Sequence, residues 1–260
     1  MGHTDRNEGR TAYSAIPSDL VKRRAAMRDR DARLLMARLA TYSPFDRLLQ
    51  NCGKEHDPGI DSTPEWQVWT NRPTTPDQLA IEEQLEHLIT ASSCVLHVGV
   101  GNSSLGRRFA PRVAAVVGTT LHDEERILSE NEGIENYAVV RANKYSEDMD
   151  RIAGQFNFVL DNNPATFACC VFHFCRMMIA YLDLLRSEGV FLTAQPGWGW
   201  VVRGNDPNWS FGWNEWALLG EILRMPVSRV TNSVYSMQRS PDSGIDHQHS
   251  AFDVHDAQRG

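Results

Sequence analysis

Hydrophobic positions divide this chain into two kinds of pattern. From residue 94 onward, short apolar runs alternate with amphipathic stretches. Val95, Leu96 and Val98 form the first run, Val113–Val117 the second, Tyr137–Arg141 the third, Phe156–Leu160 the fourth and Gly189–Ala194 the fifth. Continuous runs of this length suit strands buried on both faces of a parallel sheet. Between them, residues 122–131 and 165–186 read as helices, the second strongly apolar. Strand–helix alternation at this spacing predicts an α/β fold with a doubly wound, mostly parallel sheet. Leu218–Leu223 reads as a short helix, and residues 229–231 and 233–238 as a final antiparallel pair at one edge.

The first 90 residues follow a different rule. Pro17-Ser18-Asp19 opens a charged helix whose apolar positions Val21, Ala25, Leu34, Leu35, Ala37 and Leu39 recur at helical spacing. Pro76–Ile89 reads as a second helix, with Leu79, Ile81, Leu85, Leu88 and Ile89 facing inward. Between them, residues 51–76 hold four prolines, Trp66 and Trp69, a long irregular connection of the kind that usually serves a purpose. The expected organisation is a helical or lid extension over 1–90 and a nucleotide-binding type domain over 91–240. That domain carries a Trp-rich lid insertion near 197–217, and a polar tail follows over 241–260.

Composition narrows the function. With 42% hydrophobic and 23% charged residues the chain is an ordinary globular protein. A formal net charge of -7 argues against broad binding of nucleic acid or an anionic membrane. No apolar run is long enough to span a bilayer, and residues 1–9 lack an apolar signal core. The expectation is a cytoplasmic protein with a small-molecule partner; a monomer and a homo-oligomer are equally open. Five cysteines, three of them in the apolar stretch 169–175, read as reduced core thiols. Cys52 and His56 lack a second ligand pair at zinc-like spacing, His173 reads as a core histidine, and His247, His249 and His255 as a solvated tail, so no metal is expected.

The chemistry concentrates at Cys94–Phe109. Gly99-Val100-Gly101 follows the first strand, where a tight turn lets a ligand approach the backbone, and Asn102, Ser103 and Ser104 can cap the helix that holds Leu105. A dinucleotide fingerprint would place a third glycine at Ser104 and an acidic residue near Thr119 and Thr120, and both are missing.

The run V-L-H-V-G-V-G-N-S-S-L resembles the first motif of class I S-adenosylmethionine-dependent methyltransferases, with Gly99, Gly101, Asn102 and Leu105 matching and His97 at the usual acidic position. V-V-G-T-T-L-H is similar to the segment after strand two in members without the acidic ribose ligand. F-N-F-V-L-D-N-N-P and G-V-F-L-T-A resemble the fourth and fifth strand motifs. The similarity covers roughly residues 90–240 and keeps the motif order. It implies S-adenosylmethionine as cofactor, bound by His97, Gly99, Gly101, Asn102, Leu105, Thr119, Thr120, Asn143 and Asp161. Asp161, Asn162 and Asn163, followed by Pro164, resemble part of the catalytic motif of amine-methylating members. That implies N-methylation of a small specialised metabolite, as in antibiotic tailoring. Tyr13, on the polar N-terminal arm outside the resemblance, is a further candidate catalytic and lid residue. Tyr13, Phe167, Trp198 and Trp200 are the expected acceptor contacts. The alternatives are O-methylation of a small-molecule hydroxyl, modification of a macromolecule, use of the donor in other chemistry, and a non-catalytic ligand-binding protein with this fold.

Overall fold

The computed structural model describes residues 16–43, 45–53, 68–165, 168–198 and 211–244. Six helices and seven strands lie in these segments: α1 (Ser18–Leu39), α2 (Pro76–Leu88), β1 (Cys94–Val98), α3 (Ser104–Phe109), β2 (Ala115–Thr120), α4 (Asp123–Asn131), β3 (Tyr137–Arg141), β4 (Phe156–Leu160), α5 (Val171–Leu184), β5 (Leu185–Ala194), α6 (Trp213–Leu223), β6 (Val227–Arg229) and β7 (Val234–Gln238). The strands form one sheet in the order β3-β2-β1-β4-β5-β7-β6. The first five are parallel, while β7 runs antiparallel to both β5 and β6. The sheet reverses its winding between β1 and β4, and in such sheets ligands bind at the carboxyl ends of the strands beside the reversal.

Apolar clusters fill both faces of the sheet. One joins α1, α5 and α6 around Leu35, Phe172, Phe174 and Trp216; the other joins α2 and α3 through Ile81, Leu85, Leu105 and Phe109. The α1 helix buries Ala25, Arg28, Ala32, Leu35 and Leu39, a spacing that forms one inward stripe. Arg28 is the unexpected member of that stripe. Its guanidinium pairs with Asp150 (Nη1 to Oδ1, 2.6 Å) and Asp183 (Nε to Oδ2, 2.9 Å), while Arg176 of α5 pairs with Asp29 (2.7 Å) and the second oxygen of Asp150 (2.5 Å). Charged groups so deep persist only when paired, and here the pairing locks α1 onto α5.

Four elements depart from the sequence expectation. Strand β2 extends through Gly118, Thr119 and Thr120, which are all buried because β2 lies between β1 and β3. Gly118 is required there, since a Cβ would stand 2.2 Å from Val100 Cγ1. Helix α5 begins at Val171 rather than Ala165, because Cys170 is still extended (φ -166°). Strand β5 begins at Leu185, four residues early, and loops out residues 186–189 before rejoining β4 at Val190. The helix expected at Leu218 starts at Trp213, so the expected insertion is shorter, and residues 199–210 lie outside the described segments.

Two helices also turn differently from their apolar pattern. In α2, Leu79 and Leu88 are exposed while Asp77, Gln78 and Glu82 are buried. In α4, Ile127 is exposed and Glu125 is buried. Both helices direct carboxylates toward the carboxyl ends of β1, β2 and β4, where polar partners await them.

Candidate functional site

The loop after β1 is built by three left-handed residues, Gly99 (φ +82°), Gly101 (φ +52°) and Ser103 (φ +61°). The backbone N–H groups of Gly99 and Val100 both donate to the carbonyl of Thr119 at 3.0 Å, which pins the loop to β2. A Cβ on Gly99 would meet nothing within 4 Å, so space stands open over that backbone, whereas a Cβ on Gly101 would stand 3.2 Å from the Trp69 ring. Asn102 holds the segment that carries this tryptophan. Its amide donates to the carbonyl of Arg72 (2.8 Å), and its oxygen caps α3 by accepting from Ser104 N (3.0 Å). Leu105 is fully buried among core side chains and fixes α3 against the sheet.

At the end of β2, where the strand itself carries threonines, α4 brings in a carboxylate. Glu125, 5% exposed, accepts from the Thr120 hydroxyl and from the backbone N–H of Trp69 (2.8 Å). The sequence placed three acids in the first turn of this helix, and only the fold shows which of them turns inward. Thr119 is buried beside it, with its carbonyl committed to the glycine loop. At the end of β3, the Asn143 oxygen accepts from Tyr145 N (3.0 Å) and closes a turn that presents Lys144.

Lys144, which sequence reasoning missed, is the hinge of the site. Its ammonium donates to both oxygens of Asp161 (3.1 and 2.8 Å) and to the main-chain carbonyl of Asn163 (2.6 Å). Asp161 also accepts from Tyr181 Oη (2.7 Å) and from Asn163 N (2.9 Å). Burial pushes the Lys144 pKa down against the opposing pull of Asp161, and burial pushes the Tyr181 phenol well above its usual range, so Tyr181 remains a proton donor. Asn162 donates to Asp77 Oδ2 (2.7 Å) on α2 and accepts from the Asn163 amide (3.0 Å). Asn163 Oδ1 is buried and has no hydrogen-bond partner among the described residues.

His97, 2% exposed on β1, likewise leaves both ring nitrogens without a partner among the described residues. Burial lowers its pKa to about 4, partly offset by the charge of Asp161, so the ring is neutral near pH 7.

Of the expected acceptor contacts, Tyr13, Phe167 and Trp200 lie outside the described residues. Trp198 is a correction. It is 1% exposed, donates from Nε1 to Thr193 Oγ1 (3.0 Å) and packs on Trp216 and Tyr235 with ring centroids 4.9 and 4.6 Å away. The aromatic cluster near the end of β5 is core, because α6 folds Trp216 back onto the sheet. The structure thus gathers His97, Gly99, Glu125, Lys144, Asp161 and Asn163 around the carboxyl ends of β1 to β4.

No family profile and no curated protein matches this chain. Solved structures similar to it include a sugar N-methyltransferase from Streptoalloteichus sp. (12% identity, TM-score 0.49, covering 62% of this chain and 86% of that one). Another is an S-adenosylmethionine-bound amino pentose methyltransferase from Micromonospora echinaspora (13%, TM-score 0.48, 68% and 93%). A third is an rRNA methylase from Streptococcus thermophilus (11%, TM-score 0.43, 64% and 98%). The strand order of the chain itself, with β7 reversed, decides the architecture. It is the class I methyltransferase fold. Among the described residues, no helix is long and apolar enough to cross a membrane.

Proposed function

We propose that this chain transfers a methyl group from S-adenosylmethionine to an amine of a small specialised metabolite. The fold supports a nucleoside ligand at the reversal point, and the residues present fit one. Gly99 leaves room for close approach to backbone, Glu125 and Thr120 offer oxygens at the end of β2 that ribose hydroxyls could meet, and His97 carries two buried nitrogens that lack a partner among the described residues. When bound, the donor supplies an electrophilic methyl on a sulfonium.

The observation that carries the amine reading is Asn163 Oδ1, a buried acceptor with no partner among the described residues, on the turn leaving β4. An amine nitrogen donating one N–H to this oxygen would be held with its lone pair free for in-line attack. The N–C bond then forms as the C–S bond breaks, and the surplus ammonium proton passes to water. Asp161 is a positioning residue here. Its oxygens already accept from Lys144, Tyr181 and Asn163, so it holds the turn rather than taking the proton. Lys144 fixes the Asn163 carbonyl, which leaves the side-chain oxygen as the acceptor of this residue. His97, neutral near pH 7, contributes hydrogen bonds to the donor rather than charge.

The test is methyl transfer from labelled donor to a panel of amino sugars and other small amines, beside matched alcohols. Transfer to amines with loss of activity in Asn163→Ala supports the reading. Transfer to hydroxyls alone overturns the amine assignment while keeping the donor.

A further inference from the structure

Outside that site, four metal-type ligands meet where the chain after α1 crosses the start of α5. Cys52 follows the short helix Phe45–Arg47, Cys169 and Cys170 end the connection from β4, and His173 lies in the first turn of α5. Their ligand atoms all lie within 4.8 Å of one another. His173 Nδ1 stands 3.4 Å from Cys52 Sγ, 3.2 Å from Cys169 Sγ and 3.1 Å from Cys170 Sγ. Cys169 Sγ is 3.5 Å from Cys52 Sγ and 4.0 Å from Cys170 Sγ. None of these cysteines forms a disulfide.

These five separations are close to the edges of a tetrahedron around a single ion, and the sixth, Cys52 to Cys170, is under 4.8 Å. Four ligands at about 2.3 Å (sulfur) and 2.0 Å (nitrogen) from zinc stand about 3.8 Å apart for sulfur pairs and about 3.5 Å for sulfur–nitrogen pairs. An iron–sulfur cluster needs its cysteines farther apart than this, since its own sulfides lie between the irons and the protein ligands. We propose that Cys52, Cys169, Cys170 and His173 form a closed Cys3His site for one zinc ion.

The local fold prepares the site. Cys169 and Cys170 lie just before α5, and the chain turns into the helix at Val171 so that His173 Nδ1 comes within 3.2 Å of both sulfurs. The fourth ligand is delivered from more than a hundred residues away. The backbone N–H groups of Val171 and Phe172 donate to the carbonyls of Leu49 and Gln50 (both 2.9 Å), which fastens the Cys52 segment across the start of α5. His173 is fully buried, and an imidazole nitrogen with three cysteine sulfurs within 3.4 Å is a poor core cluster but a good ligand set. With three thiolates and no open vertex, the ion serves structure: it ties the end of the Asp161–Cys170 connection to the chain after α1. The proposal is independent of the methyl-transfer reading.

The experiment is metal analysis of the full chain, produced with zinc and purified under reducing conditions, together with X-ray absorption at the zinc edge. The expected result is about one equivalent of zinc with three sulfurs near 2.3 Å and one nitrogen near 2.0 Å. Chelation should lower the Tm by about 5–15 °C. Cys169→Ser/Cys170→Ser should retain no stoichiometric zinc. Retention of zinc by that variant would place the metal on other histidines and overturn the proposal. So would a wild-type protein that holds no zinc, one whose absorption spectrum shows an oxygen- or nitrogen-only shell, or one in which Cys52 and Cys169 are joined as a disulfide. The wild-type spectrum decides the matter even if the variant fails to fold.

Discussion

Lys144 and Asp161 form an almost fully buried ion pair, Nζ 2.8 Å from Oδ2, with 11% and 2% of their side chains exposed. The pair joins the end of β3 to the end of β4, and through the Asn163 carbonyl it fixes the turn on which the proposed amine acceptor lies. Replacing one member strands the other charge without solvent. Lys144→Met should therefore destabilise the fold by about 3–5 kcal/mol. Urea denaturation monitored by tryptophan fluorescence measures this, and a loss below about 1 kcal/mol would show that Asp161 finds another partner or water.

The Arg28–Asp150–Arg176 cluster, linked through α5 to the same region, makes a parallel prediction. Asp150 is fully buried and accepts from both guanidinium groups. Asp150→Ala leaves each buried guanidinium with a single, more exposed carboxylate, Asp183 for Arg28 and Asp29 for Arg176, at a cost of about 3–5 kcal/mol. Pairing Asp150→Leu with Arg28→Met and Arg176→Met, which removes all three charges, should recover most of that loss; no recovery in chemical denaturation would contradict the reading.

Much of the fold was legible in the sequence because the parallel strands are continuous apolar runs. The residues read as β3 and β4 are the ones that form them, and the antiparallel pair was placed within two residues. The rest was hidden for identifiable reasons. The polar end of β2 reads as a turn, yet it is a central strand hydrogen-bonded on both sides. The Trp198–Trp216 cluster reads as a lid, because clustering in sequence does not reveal that α6 folds back to stack these rings. Within the site, the Asp161-Asn162-Asn163 turn was visible from its place after a strand. Glu125 was not, because two acids precede it and only burial selects it, and Lys144 was not, because its partner Asp161 lies seventeen residues away at the end of the next strand. The Cys52–His173 cluster was invisible because its ligands come from two distant segments.

His97 gives the chain a pH dependence with a definite sign. Its folded pKa of about 4 lies below the ordinary 6.5, so between those values the unfolded chain binds more protons than the folded one. Stability from this group is full above pH 6.5 and falls as the pH drops toward 4, by about 3 kcal/mol over the window. His97→Leu should flatten that part of the stability profile measured by denaturation from pH 7 to 4. A variant whose profile parallels the wild type would exclude His97 as the source.

Glu125 couples Thr120 to the Trp69 segment. Glu125→Gln preserves shape but replaces charge-assisted hydrogen bonds by neutral ones. Affinity for the nucleoside ligand should weaken about tenfold, equivalent to about 1.4 kcal/mol, while the unfolding midpoint shifts little. Unchanged affinity would remove Glu125 from the site.

Asn163→Ala should spare donor binding and lower kcat for an amine acceptor by about tenfold to a hundredfold, since misplacement of the nucleophile is costly. Equal losses in donor affinity and turnover would reassign this oxygen to the donor.

In the proposed function S-adenosylmethionine binds over Gly99, at the carboxyl end of β1. Calorimetric titration of the full chain with S-adenosylmethionine and with S-adenosylhomocysteine tests it most directly. The expected result is one site binding both at micromolar Kd, weakened by Glu125→Gln. Absence of binding by either compound at millimolar concentration would contradict it and leave the fold without the activity.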